Sequence, residues 1–214
     1  MEMFVDLPAC HSREPDLPEA RLAPSAPEIE AAVRTLIAAA GDDPHREGLR
    51  DTPARVARAY GEWFSGYAID PRQLLSRVFT ETEGYSETIL LRDIPVVSTC
   101  EHHLAPIQGM AHVAYRPADR VVGISKLSRL VDAYARRLQL QERLTSQIAR
   151  TLDEALRPRG VAVMIRASHG CMSTRGVNQH GVSMVTRCWL GDFRDDASLR
   201  AQFMAEVGLP GVAA

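Results

Sequence analysis

The spacing of apolar residues changes period several times along the chain, and each change marks an element. Ile29, Val33, Leu36 and Ile37 recur at helical spacing from Glu28 onward, and Gly41 ends that run. Asp51-Thr52-Pro53 sets a capping residue before a proline suited to a first helical turn. This predicts a second helix through Val56, Tyr60 and Phe64 to Gly66. ETILLRDIPVVST is rich in β-branched and aliphatic residues and reads as a strand. GMAHVAYRPADRVVG reads as two short strands about an Arg116-Pro117-Ala118-Asp119 turn. A helical stripe then runs from Ser125 to Leu156, with Leu127, Leu130 and Tyr134 early and Leu144, Ile148 and Leu152 late. It breaks at Gln141 and Glu142, which predicts a joint between two helices packed side by side. VAVMIRASHGC and VSMVTRCWLG alternate like strands, and a short helix over 198–206 closes the chain. The pattern is an α+β plan.

Composition narrows the class. The chain has 214 residues, 45% hydrophobic and 24% charged, as expected of a globular protein long enough to bury its own core. No apolar run approaches the roughly 18 residues of a membrane span. MEMFVDLPACHSRE lacks a basic region followed by an apolar core, so no secretory leader is expected. Residues 1–27 hold five of the 13 prolines and read as a poorly ordered arm, 28–84 as a helical region, and 85–214 as the domain that holds the strands. A net charge of −2 argues against nucleic acid as a partner. The basic residues are peculiar in kind: Lys126 is the only lysine among 25. Four cysteines without a leader point to a reducing cytoplasm, where thiols more often serve metals or catalysis.

Two segments carry candidate metal chemistry. Cys100 and His103 would lie on opposite faces of a continuing strand, but a turn after Cys100 would close both on one metal. Thiolate and imidazole together favour zinc. His169 and Cys171, two apart, would share one face of a strand with Val161, Val163 and Ile165. Three protein ligands leave a position open for water, and a closed structural site with a further histidine is the competing metal reading. His102 and His169 stand beside this set as candidate proton carriers. Cys10 and Cys188 read as bystanders.

A second constellation is basic. Ser125 reads as an N-cap, which puts Lys126 and Arg129 at the start of its helix. Cations there oppose the helix dipole, and a bound anion would reverse that cost. Arg55 and Arg58 face one way on the helix near Pro53, and Arg175 follows Cys171 closely; phosphate recognition and ordinary surface charge both fit them. Glu142, beside Gln141, offers a carboxylate that can accept from the N1–H and 2-amino edge of guanine, or stand as an exposed glutamate.

Taken together, GLRDTPARVAR, STCEHHLAPIQG, VVGISKLSRLV, QLQERLTSQIA and SHGCMSTRGV, in that order, resemble the GTP cyclohydrolase I family. The resemblance runs from about Glu28 to Glu206. It implies a tunnelling fold, a four-stranded antiparallel sheet backed by two antiparallel helices, with an N-terminal helical extension. It implies a homodecamer, a dimer of pentamers with active sites at subunit interfaces. By residue, it implies that Cys100, His103 and Cys171 bind zinc and that His102 and His169 shuttle protons. Glu142 and Gln141 would read guanine, and Ser125, Lys126, Arg129 and Arg175 would line the ribose and triphosphate pocket. Arg55 and Arg58 would contact phosphate near a subunit boundary. The implied reaction opens GTP at C8, releases formate and yields 7,8-dihydroneopterin triphosphate. The chain departs from the family at Gly170, at Arg58 and over 178–189. Two rivals compete: a nitrile reductase of the same fold, which uses a cysteine nucleophile and leaves His103 unexplained, and a non-catalytic nucleotide binder with a structural zinc.

Overall fold

The computed structural model describes residues 24–80 and 84–208, so nearly all of the 1–27 arm lies outside the described residues. The chain divides into two compact units between Phe64 and Ser65.

In the first unit, α1 spans Ala26–Ala39 and α2 spans Thr52–Trp63, and the two helices pack on each other. Ser25 caps α1 reciprocally with Glu28: its backbone N–H and its hydroxyl both donate to the carboxylate, at 2.8 and 2.6 Å. Gly41, at φ +90°, takes the left-handed conformation that stops the helix. Asp51 differs from expectation. Its backbone is already helical, and its carboxylate accepts from Arg55 at 3.2 Å instead of capping the first turn. The predicted run to Gly66 also ends sooner, at Trp63.

The second unit opens with a 3-10 turn over Ser65–Ala68 and α3, Pro71–Leu74, followed by the two-residue strand β1, Val78–Phe79. The long strands β2, Ile89–Cys100, and β3, Pro106–Arg116, come next. Beyond them are β4, Val121–Val122, helix α4, Ile124–Ala135, and β5, Leu138–Gln139. Helix α5, Gln141–Leu156, leads to β6, Gly160–His169, and to a single turn, α6, Gly170–Ser173. Strand β7, Met184–Gly191, a turn α7, Asp192–Asp195, and α8, Ala197–Gly208, complete the described chain.

Among the described residues the main sheet has the order β5-β2-β3-β6-β7. The four long strands pair antiparallel, and β5 joins the edge of β2 in parallel. The segments about the Arg116–Asp119 turn are not a pair of short strands. β3 is eleven residues long and lies between β2 and β6, whereas β4 pairs with β1. The break in the long helical stripe is real but falls earlier than expected: α4 stops at Ala135, and Gln141 and Glu142 begin α5.

Strand periodicity sorts the two faces. Val161, Val163 and Ile165 are fully buried on the face to which α5 brings Leu144, Ile148 and Leu152. Each such side chain stabilises by about 1.5–3 kcal/mol when removed from water. The intervening Ala162 and Met164 join Ala114, Phe193 and Phe203 on the opposite face, under α7 and α8. Farther along that second face nothing described covers Val97, Met110 and Val185, which are 61%, 45% and 40% exposed.

Two buried basic groups were not readable from the pattern. Arg137 donates to the carbonyls of Gly66, Ile69 and Ala133 at 3.1–3.2 Å, and its guanidinium lies 4.9 Å from the Tyr134 ring centroid. Carbonyl acceptors and an aromatic face replace the water it gives up. His112 sits beside the bulge of β2, where Asp93, at φ +59°, donates its backbone N–H to Nδ1 at 3.2 Å. Burial holds the His112 imidazole below its ordinary pKa; the Asp93 carboxylate works against that shift and Arg92 reinforces it. No helix of the described residues is long and apolar enough to cross a membrane.

Candidate functional site

Strand register brings the chemistry to one end of the sheet. Thr99 of β2 pairs with Pro106 of β3, and Ile107 of β3 pairs with His169 of β6. The end of β2 and the end of β6 therefore flank the start of β3. Cys100 is the last residue of β2 and is buried. After it the chain turns back on itself. The Leu104 N–H donates to the Cys100 carbonyl at 2.9 Å, and the Cys100 N–H donates to the Ala105 carbonyl at 2.8 Å. Leu104 completes the turn in the left-handed region, at φ +52°. This is the turn that a C-x2-H pair needs to close on one metal.

Cys171 reaches the same place by a different route from the one expected. β6 ends at His169, and Cys171 lies on the single turn of α6, not on a strand face shared with Val161. Thr174 secures that turn with its backbone N–H and its hydroxyl, both donating to the Gly170 carbonyl at 2.9 and 2.7 Å. Gly170 packs closely on the proline that starts β3: a Cβ would stand 2.9 Å from Pro106 Cδ, so a larger residue would need that ring to shift.

The donor atoms of Cys100, His103 and Cys171 all lie within 4.8 Å of one another. Three soft donors at this separation fit a zinc-sized cation. Burial pushes the Cys171 thiol above its ordinary pKa, and Cys100 beside it pushes further, while Arg175 pulls slightly back. Two adjoining thiolates are unfavourable alone, and a divalent cation removes that penalty. Arg175 also donates to His103 Nε2 at 3.0 Å, which places a guanidinium at the rim. The exposed His102 ring stands edge-on to His103, centroids 6.2 Å apart.

His169 is held from the other side. Its Nε2 lies 2.8 Å from Gln141 Oε1. Burial lowers the His169 pKa, with the nearby Glu142 charge acting in the opposite direction. Gln141 itself is 1% exposed, and its Nε2 has the Ile165 and Met184 carbonyls and Thr186 Oγ1 within 3.0–3.1 Å. Both ends of that amide are engaged inside the chain. Glu142, one residue on, is exposed on the first turn of α5.

Sequence reasoning missed the pair that braces the ligand turn. Arg143 forms an ion pair with Glu101, between the two candidate ligands of that turn, and also donates to the Leu138 carbonyl and to Gln139 Oε1. The Glu101 N–H in turn donates to the Gln139 carbonyl at 3.1 Å. Nothing local in the sequence signals a partner 42 residues away.

Gly123, not Ser125, caps α4, so Ser125 and Lys126 occupy its first turn and Arg129 its second. Arg55 and Arg58 are exposed on α2, in the first unit. Among the described residues no hydrogen bond links Ser125, Lys126 or Arg129 to the cysteine–histidine cluster.

Comparison with known proteins returns a family model described as GTP cyclohydrolase I, matching residues 29–208. A curated protein named GTP cyclohydrolase 1, from Maricaulis maris (strain MCS10), is 56% identical over 181 residues, covering 85% of this chain and 88% of its own. Among solved structures, the archaeosine synthase QueF-Like in the apo form aligns at 21% identity with a TM-score of 0.41, covering 49% of this chain and 93% of its own.

Proposed function

The chain belongs to the GTP cyclohydrolase I family and is an enzyme of that activity, and from this premise we propose how its residues divide the work. Cys100, His103 and Cys171 hold zinc, and His102 and His169 carry protons. Water adds at C8 of GTP, the imidazole ring opens, and C8 leaves as formate. The ribose then rearranges and a new ring closes to 7,8-dihydroneopterin triphosphate. The observation that carries the assignment is the convergence of three soft donors within 4.8 Å at one end of the sheet. When bound there, zinc supplies Lewis acidity and a water of lowered pKa.

The remaining steps belong to the chain itself. His169 is half-buried, and burial favours its neutral form, so it can take a proton from the opening purine near neutral pH. His102, exposed on the ligand turn, can return one. Glu142 accepts from the N1–H and 2-amino group of guanine, which sets C8 toward the metal end of the pocket. Ser125 and Lys126 lie in the first turn of α4, a helix start that suits an anion, and with Arg129 one turn on and Arg175 they hold the triphosphate. Arg55 and Arg58 supply further phosphate contacts in the assembled oligomer.

The finer architecture is part of the same proposal. The catalytic domain is a tunnelling fold that follows a helical N-terminal extension, and the chains assemble into a decamer. The uncovered stretch of sheet bearing Val97, Met110 and Val185 supports association with further copies. Cys100, Cys171 and Cys188 form no disulfide, which suits a reducing cytoplasm.

Turnover tests the reading. Zinc-loaded protein given GTP should release formate and form the pterin triphosphate in equal amounts, both followed by mass spectrometry. Formate without pterin would confine the proposal to ring opening, and neither product from zinc-replete protein would refute it.

A further inference from the structure

The hydrogen bonds around Gln141 have only one consistent direction. The Ile165 and Met184 carbonyls can only accept, at 3.0 and 3.1 Å, so the edge of the amide facing them is the NH2 group. Thr145 Oγ1 donates to the Gln141 main-chain carbonyl at 2.8 Å, which uses its one hydroxyl proton. In the 2.7 Å contact between Thr145 and Thr186, the donor is then Thr186. Having spent its proton there, Thr186 Oγ1 accepts from Gln141 Nε2 at 3.1 Å. Carbonyls and hydroxyls thus lock the amide with Oε1 turned toward His169. That oxygen cannot donate, so in the 2.8 Å contact the proton lies on His169 Nε2.

We infer that Gln141 is a positioning residue for the reaction, one that fixes His169 in its Nε2–H tautomer and leaves Nδ1 as the nitrogen that exchanges protons with the substrate. The assignment changes what Gln141 does. It holds the ring of a proton carrier, and base recognition rests on Glu142 beside it. The physical gain is that a neutral imidazole in the wrong tautomer would present an N–H where a lone pair is needed. Each turnover would then begin with a tautomer exchange. Burial makes the lock effective, because Gln141 is 1% exposed and water does not compete for its amide. The threonines that set its direction come from α5 and β7, so the orientation depends on tertiary structure and not on a local turn.

This inference rests on the proposal that His169 carries protons, but its first test is independent of turnover. Magic-angle-spinning 15N spectra of the zinc-loaded, histidine-labelled protein would read the tautomer, with the His169 signals assigned by difference against His169→Asn. A protonated Nε2 and an unprotonated Nδ1 are expected at neutral pH. The opposite pattern, or an even mixture of tautomers, would overturn the inference even if the enzyme is fully active. Conversely, absent GTP turnover would refute the function while leaving the tautomer measurement standing. The second test is Gln141→Leu, which keeps the volume and removes the acceptor. Loss of an orienting partner of this kind costs about 10–100-fold, here in kcat, with KM within about threefold and zinc content unchanged. A KM rise above tenfold with kcat preserved would mean that Gln141 reads the base after all. If the leucine variant fails to fold, the spectrum of the parent protein still decides.

Discussion

Cys171→Ser is expected to abolish bound zinc and turnover together while the fold and the oligomer persist. A hydroxyl oxygen is a poor replacement for a thiolate, and metal binding depends on a deprotonated soft donor at that position. With two ligands left, zinc content should fall to a small fraction per chain, and activity by on the order of a hundredfold or more, since the lowered pKa of the reacting water depends on the metal. The structural cost should be slight. Cys171 is half-buried on one turn, and the Thr174 hydrogen bonds that hold the turn do not involve the sulfur. Metal analysis, circular dichroism and sedimentation on one preparation would check all three expectations. Full activity in the serine variant would sink the ligand assignment.

The second large effect is expected at Glu142. Glu142→Gln keeps the size and removes the charge that accepts from the guanine edge. A hydrogen bond to a charged group is worth about 1.5–3 kcal/mol, so kcat/KM for GTP should drop by about 10–150-fold. The diagnostic is selectivity. Inosine triphosphate lacks the 2-amino group, and the parent enzyme should prefer GTP over it by a margin that the glutamine variant largely loses. Stability should hardly change, because Glu142 is exposed and gains only a few tenths of a kcal/mol from the start of α5. A variant that discriminates between the two nucleotides as well as the parent would move base recognition elsewhere.

Much of this was legible in the chain, and the exceptions have physical causes. The apolar run of α1, the stripe of α5 and the turn after Cys100 all rest on neighbours a few residues apart, where spacing constrains geometry tightly. The strand reading of Cys171 failed because alternation was carried past His169, where β6 ends and the single turn of α6 begins. The burial of Gln141 was not legible either. A polar residue that breaks an apolar stripe suggests a surface, yet here Ile165, Met184 and Thr186 supply acceptors that allow the amide to be buried. The partners of Arg137, of Arg143 and of β4 are likewise distant in sequence, and pairing across such separations leaves no periodic trace. For Gln141, Arg137 and Arg143, acceptors from other parts of the chain replace the water a polar group gives up.

The account turns on an open metal centre of three protein ligands, and zinc-edge X-ray absorption of the purified protein tests that most directly. The expected spectrum has two sulfur scatterers at about 2.3 Å and one nitrogen at about 2.0–2.1 Å, with the remaining position filled by a light atom from solvent. That light atom should exchange when GTP is added. A fourth protein ligand, seen as a second imidazole insensitive to substrate, would make the zinc structural and contradict the account.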